Sequence, residues 1–216
     1  MVILGAGGFA KELIDTLISD GNYTKENLCL FDEIDKSKNS LFGFKVFHTT
    51  EEVVNLFEEG LTEFCLGIGT PKSRYDLCKK FEELGGKLIT VVSSESIIGH
   101  FNVEIGKGSC IMSKSIISNN VTIGKGVLIN VDVLAGHDVT IGDFSDISPG
   151  VKITGHCQIG KYVTIGTGAV ILPKVKIGNN SVIAAGTVIA NDIPENSVVV
   201  GIVPSRVVKR LAKFEE

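Results

Sequence analysis

The chain has 216 residues, 44% hydrophobic and 21% charged, with 25 glycines, no tryptophan and a formal net charge of -4. The charge is too sparse and too mixed in sign for disorder, and a mildly acidic chain gives no electrostatic case for a nucleic acid partner. No apolar run is long enough to span a bilayer, and the opening MVILGAGGFAKEL lacks the basic start of a signal peptide.

In chain order, the first part alternates short apolar runs with helical patterns. Val2–Leu4 reads as a strand, and Gly5-Ala-Gly-Gly-Phe-Ala10 follows it. Lys11–Ser19 reads as a helix with Leu13, Ile14, Leu17 and Ile18 on one face. Leu28–Phe31 is a second strand, and Thr50 is placed to cap a helix over Glu51–Glu59. Phe64–Ile68 reads as a strand, Lys72–Leu84 as a helix and Lys87–Val92 as a strand. Alternating β and α at this spacing predicts a small Rossmann-like parallel sheet flanked by helices over residues 1–92.

Residues 93–200 follow a different rule. From Val103 to Asp192 the chain divides into 15 uninterrupted hexads, VEIGKG to TVIAND, and the third residue is isoleucine in 14 of them. Such a repeat sets the fold. Each hexad is one short strand and its turn, with the branched third residue pointing inward. The residue after it, often glycine, is where the chain is expected to bend. Three hexads make one triangular coil, and coils stack as parallel strands about 4.8 Å apart. Only Phe144 and Tyr162 of the aromatic residues fall in the repeat, both at hexad ends, where side chains can point out. Residues 201–216 read as a C-terminal loop and short helix.

The hexad VLAGHD breaks the isoleucine rule at Ala135, and Gly136-His137-Asp138 follows. A histidine is the usual general base near neutral pH, and an adjacent carboxylate can orient its ring. A solvated turn histidine would look the same in sequence. His156 should sit about one coil above Asp138, where it either competes for that carboxylate or is simply exposed, whereas His48 and His100 lie outside the regular repeat. Gly5-x-Gly7-x-x-Ala10, between a strand and a helix, fits a phosphate cradle, although a tight turn also needs glycine. Asp32-Glu33 after the second strand is placed to meet a ribose or base edge. A domain of 92 residues is short for a full dinucleotide fold, which argues against a nicotinamide cofactor. Five dispersed cysteines (Cys29, Cys65, Cys78, Cys110, Cys157) without a CxxC pair suggest reduced, packed thiols and a cytoplasmic protein.

The Ile-Gly hexads resemble those of the hexapeptide-repeat acyltransferases, whose parallel β-helix is left-handed. A glycine-turn α/β domain ahead of that repeat resembles the bacterial sugar O-/N-acyltransferases. That family includes sialic acid O-acetyltransferases, the bacillosamine-pathway N-acetyltransferase and perosamine N-acetyltransferases. The resemblance implies a nucleotide-sugar-binding N-terminal domain, acetyl-coenzyme A bound between subunits of a homotrimer, and a role in surface polysaccharide or glycan synthesis. It places the base on His137 with Asp138 as its partner. It places sugar-nucleotide contacts on Gly5, Gly7, Gly8, Phe9, Asp32, Glu33, Gly67, Gly69 and Thr70. Coenzyme contacts fall on Asp146, around Gly155, Gly166, Ala184, Ala185 and Gly186, and on Pro204 and Arg206.

Two positions depart from the family pattern. Its second histidine, nine residues after the first, contacts the acetyl carbonyl, and here that place holds Asp146. An ionised aspartate cannot donate a hydrogen bond to a carbonyl. The glycine turn often ends in histidine, where this chain has Phe9. The leading expectation is acetyl-CoA-dependent N-acetylation of a nucleotide-linked amino-sugar. O-acetylation of a sugar or sialic acid and a non-catalytic nucleotide-sugar scaffold are the rivals. No metal is expected, since a zinc hydratase on this fold needs three histidines.

Overall fold

The computed structural model describes residues 1–21, 23–201 and 206–210. The first part is an α/β domain: β1 (Val2–Leu4), α1 (Gly8–Ser19), β2 (Cys29–Phe31), β3 (Ser40–Leu41), β4 (Phe44–Phe47), α2 (Thr50–Glu58), β5 (Glu63–Leu66), α3 (Pro71–Glu83) and β6 (Lys87–Leu88). The sheet order is β3-β4-β2-β1-β5-β6, parallel except for the β3–β4 hairpin. The hairpin was not expected. Its turn, Phe42-Gly43, has positive φ at both residues, and a phenylalanine is an unusual carrier of that shape. Helix α2 is capped by Thr49, one residue before the expected cap, in a reciprocal box with Glu52.

The second part is a left-handed parallel β-helix of three faces. The first face holds Val91–Val92, Cys110–Ile111, Leu128–Ile129, Asp146–Ile147, Thr164–Ile165, Val182–Ile183 and Ser197–Val200. The second runs from Ile97–Ile98 through Leu134–Ala135 to Val188–Ile189, and the third from Glu104–Ile105 to Lys176–Ile177. Residues expected as one strand, Lys87–Val92, are therefore split: Lys87–Leu88 closes the α/β sheet and Val91–Val92 opens the β-helix. Third-position isoleucines and first-position valines form one continuous core from Ile111 to Val199. Ala135 is fully buried too, in register between Ile117 and Ile153.

The corners are built differently from the expectation. The left-handed backbone falls on the sixth residue of every hexad but the last, at every sixth position from Asn102 to Gly186, with φ between +52° (Asn102) and +76° (Gly108). The fourth-position glycines serve stacking instead. A Cβ on Gly106 would lie 2.3 Å from the Gly124 backbone, and one on Gly142 2.6 Å from that of Gly160. Successive coils are too close there for any side chain.

The C-terminal segment also differs from the expected helix. Arg206–Arg210 is a strand, antiparallel to Ser197–Val200. Val207 and Val208 favour extended backbone, and the last coil offers an open edge for them to pair with.

The α/β domain packs on the first face. Ala10, Leu13, Ile14 and Leu17 of α1 share one core with Val91, Cys110, Met112 and Leu128. At the corner leading into that face, Phe144 and Tyr162 stack 6.0 Å apart, and Tyr75 of α3 meets both edge-on. Their positions at hexad ends do turn them outward, but into the domain contact, so Phe144 is 5% exposed and Tyr162 7%. Arg74 of α3 is fully buried at the same junction. Its Nε donates to Gly126 O at 2.9 Å, and Nη1 to Leu66 O at 3.2 Å and Ile68 O at 2.7 Å.

Candidate active site

The α/β domain has a pocket of about 480 Å³ lined by Gly5, Ala6, Gly7, Phe31–Asp35, Ile68, Thr70, Ser73, Asp76 and Leu77. It opens at the carboxyl ends of β1, β2 and β5, where the strand order reverses about β1. Parallel sheets place ligands at such a switch point. Gly7, at the pocket wall, precedes α1 without any side-chain cap, and the first turn of the helix holds no acidic residue. The glycines divide in role. A Cβ on Gly5 would strike Ile68 at 2.6 Å, and one on Gly67 would strike Ile3 at 2.4 Å, so these two serve chain crossing. Gly7 and Gly8 have open space where a Cβ would stand, which leaves the helix start accessible.

Asp32 lines the pocket, but much of its carboxylate is already used. Oδ2 accepts from Ala6 N at 3.2 Å, and Oδ1 from Ile34 N at 3.0 Å and Asp35 N at 3.1 Å. It fastens the glycine turn to the loop after β2. Glu33 pairs with Lys80 at 3.0 Å. The Thr70 side chain makes no cap bond to α3 and is exposed at the pocket rim. Phe9 is half-buried against the α1 core rather than lining the pocket.

The second centre is His137. It lies in the corner between the second and third faces, opposite the face that carries the α/β domain. Its Nδ1 is 2.6 Å from Asp138 Oδ2, while Asn120 donates to Asp138 Oδ1 at 3.3 Å. That pairing leaves His137 Nε2 as the free nitrogen. The hydrogen bond from His137 holds the Asp138 carboxyl below its ordinary value, with His156 and Asn120 adding to the effect. Gly155 provides the seat: a Cβ there would lie 2.6 Å from His137 Cε1 and Nε2. His156 stands above, its ring 5.0 Å from His137 and its Nε2 3.7 Å from Asp138 Oδ2. Ligand atoms of His137, Asp138 and His156 lie within 4.8 Å of one another, a spacing that a metal ion could bridge.

The remaining expected contacts are spread out. A Cβ on Gly166 would lie 2.6 Å from Ala185 N, so Gly166, Ala184 and Ala185 form one stacked corner. Gly186 is a left-handed corner residue with open space beside it. Arg206 pairs through its backbone with Val200, and Pro204 lies outside the described residues. Asp146 lies on the first face, next to the α/β domain and away from the His137 of its own chain. A Cβ on Gly69 would be 3.6 Å from Asp146 Oδ2. Burial pushes the Asp146 carboxyl up to about 6, although Arg74 pulls the other way. Sequence reasoning missed Arg74, because a lone arginine in an amphipathic helix reads as a surface charge. It also missed the seating role of Gly155, which depends on register between coils.

Comparison with known proteins follows the same division. The PglD N-terminal domain family matches residues 1–81, and the bacterial transferase hexapeptide (six repeats) family matches residues 156–191. Curated protein sequences give no match. Among solved structures, PerB from Caulobacter crescentus, in complex with CoA and GDP-perosamine, is 26% identical with a TM-score of 0.89, over 96% of both chains. The acetyltransferase domain of PglB from Neisseria gonorrhoeae, in complex with acetyl coenzyme A, is 28% identical with a TM-score of 0.87, over 96% of this chain and 98% of that one. WeeI from Acinetobacter baumannii is 26% identical with a TM-score of 0.85, over the same shares. Both domains are matched and the whole architecture is shared, so the chain is similar over nearly its full length to bacterial hexapeptide-repeat sugar acetyltransferases.

Proposed function

We propose that the protein is an acetyl-CoA-dependent N-acetyltransferase acting on a nucleotide-linked amino-sugar, working as a homotrimer in the cytoplasm. One observation carries the reading: a pocket at the glycine turn and a histidine held through Nδ1 by Asp138 occur in a two-domain frame shared with PerB, whose structure holds CoA and GDP-perosamine. The nucleotide would lie over the α1 amides, with its sugar directed past Gly69 towards the β-helix. The amine attacks the thioester carbonyl, a C–N bond forms and the C–S bond breaks. His137 Nε2 takes the proton from the nitrogen and returns it to the departing thiolate. Asp138 holds the ring through Nδ1 and stabilises its charged form. Gly155, Gly166, Ala184, Ala185 and Gly186 flank the groove assigned to the coenzyme, and Pro204 and Arg206 are assigned to its far end.

The character of the three faces supports the trimer. The first outward residues of the first face, Val91, Cys110 and Leu128, are covered by the α/β domain. Those of the third are Glu104, Thr122, Thr140, Gln158 and Lys176, a surface suited to water. Those of the second are Ile97, Ile116, Leu134, Lys152, Val170 and Val188, and Ile97 is 62% exposed. An apolar stripe of this kind calls for a second copy, and closed cyclic symmetry buries every copy's stripe. In one chain the pocket and His137 lie on opposite sides of the β-helix, so a neighbouring copy has to bring the base. All five cysteines are free and buried, in keeping with a reducing compartment.

The test is thiol release from acetyl-CoA against paired UDP-, GDP- and dTDP-linked amino- and hydroxy-hexoses. Turnover of an amino-sugar is expected. Turnover of hydroxyl acceptors alone would reassign the enzyme as an O-acetyltransferase, and nucleotide-sugar binding without turnover would make it a scaffold.

A further inference from the structure

The outward column of the first face changes character at one residue. Val91, Cys110 and Leu128 lie under the α/β domain, and Asp146 follows in direct register, with Thr164 above it. Asp146 is half-buried beneath Gly69, the residue between Ile68 and Thr70 of the pocket wall. Its side chain has no hydrogen-bond partner among the described residues. The nearby guanidinium of Arg74 does not supply one, because Nε and Nη1 are committed to the carbonyls of Gly126, Leu66 and Ile68. Arg74 Nη2 is buried without a hydrogen-bond partner among the described residues. A carboxylate partly removed from water with no donor is costly, and such groups ordinarily find a cation.

We propose that Asp146 is the receptor for the protonated amino group of the acceptor sugar, and so selects an amine over a hydroxyl. This rests on the nucleotide amino-sugar reading above. The geometry fits it. A nucleotide held at the α1 amides points its sugar along the Gly67–Thr70 loop, and Asp146 is the charged group met where that loop touches the β-helix. An ammonium offers three donors, enough to engage the idle carboxylate and still present its nitrogen towards the thioester. Recognition breaks no bond. The ammonium first gives one proton to solvent; the neutral amine then attacks, and His137 carries the second proton from nitrogen to the departing thiolate, as already described. The elevated value of the carboxyl, about 6, is what a site awaiting its counter-cation would show.

The experiment measures binding and turnover by wild type, Asp146→Asn and Asp146→Glu, using free UDP, GDP and dTDP and the same amino/hydroxy-hexose pairs. Free nucleotide should bind wild type and Asp146→Asn equally. The KM for the amino-sugar should rise about 10- to 100-fold in Asp146→Asn, the usual weight of a hydrogen bond to a charged group, and recover in part with Glu. The preference for amino- over hydroxy-sugar in binding should shrink by the same factor. In wild type, amino-sugar affinity should weaken as pH falls below about 6, and in the Asn variant it should not. An unchanged KM and an unchanged amine preference in Asp146→Asn would overturn the proposal and leave the function standing. Affinity that weakens as pH rises through 6 would overturn it too, since the neutral acid would then be the binding form. Failure of wild type to bind any nucleotide amino-sugar would overturn both readings.

Discussion

Replacing Gly155 with alanine separates activity from stability. The new Cβ would lie 2.6 Å from His137 Cε1 and Nε2, whereas ordinary contact begins at 3.4 Å, so the ring has to withdraw by about 0.8 Å. His137 is 60% exposed at its side chain, so the ring is free to swing outward. In doing so it cannot keep both its seat and the 2.6 Å bond from Nδ1 to Asp138. A base displaced by this much loses about 10²-fold in kcat. Stability should not follow. Gly155 is outside the left-handed region, so alanine meets no backbone penalty and narrows the unfolded ensemble by about 0.4–1 kcal/mol. The assay is thiol release at saturating acetyl-CoA and amino-sugar, beside a thermal melt of the same protein. The expected result is a hundredfold loss of kcat with an equal or higher Tm. A variant that keeps wild-type kcat would refute the claim that His137 works from this seat.

Three further outcomes follow from the geometry. Arg74→Met should destabilise the protein by about 3 kcal/mol in chemical denaturation, because three buried carbonyls lose their donor, and a change within about 0.5 kcal/mol would show that the junction holds without it. Asp146→Asn should raise stability by about 2 kcal/mol at pH 8 and leave it unchanged at pH 4. The sign follows from the elevated folded value: the protonated carboxyl suits the fold, and that contribution is complete below the ordinary value of 3.8 and lost as pH rises through about 6. Denaturation at the two pH values checks it, and a gain at pH 4 as large as at pH 8 would contradict it. Ile116→Glu should shift light scattering from trimer to monomer mass, since it places a charge in the exposed stripe of the second face, and an intact trimer would move the interface elsewhere.

The hexad period was legible because one side chain type recurs at one spacing, and it identified the inward residue of each β-helix strand from Glu104–Ile105 to Val188–Ile189. It could not say which of the six residues turns the corner. Glycine is common at both the fourth and sixth places, for two reasons that look alike in sequence: close stacking at Gly142 and positive φ at Gly126. His137 and Asp138 were legible because they are adjacent. The seat under His137 and the setting of Asp146 were not, since both arise from neighbours 18 or more residues away or in the other domain. Phe144 and Tyr162 were placed rightly at corners, but nothing local tells a corner that faces water from one that receives α3. The hairpin at Phe42-Gly43 was hidden by a turn residue that rarely takes that shape.

The β-helix corners from Asn102 to Gly186 repeat the same left-handed backbone, whether the residue is Asn120, Asp138, Phe144, His156 or Tyr162. The inner lattice of isoleucine and valine does not read which side chain stands there. The corners thus behave as a rack of equivalent mounts, spaced about 4.8 Å apart, on which chemistry can be exchanged without touching the core. One mount carries the partner of the base, another a second histidine, and two more hold the α/β domain in place. A new acceptor or a new partner domain is reached by changing what hangs on the rack, and inserting one whole coil would lift everything above it by a single, known step.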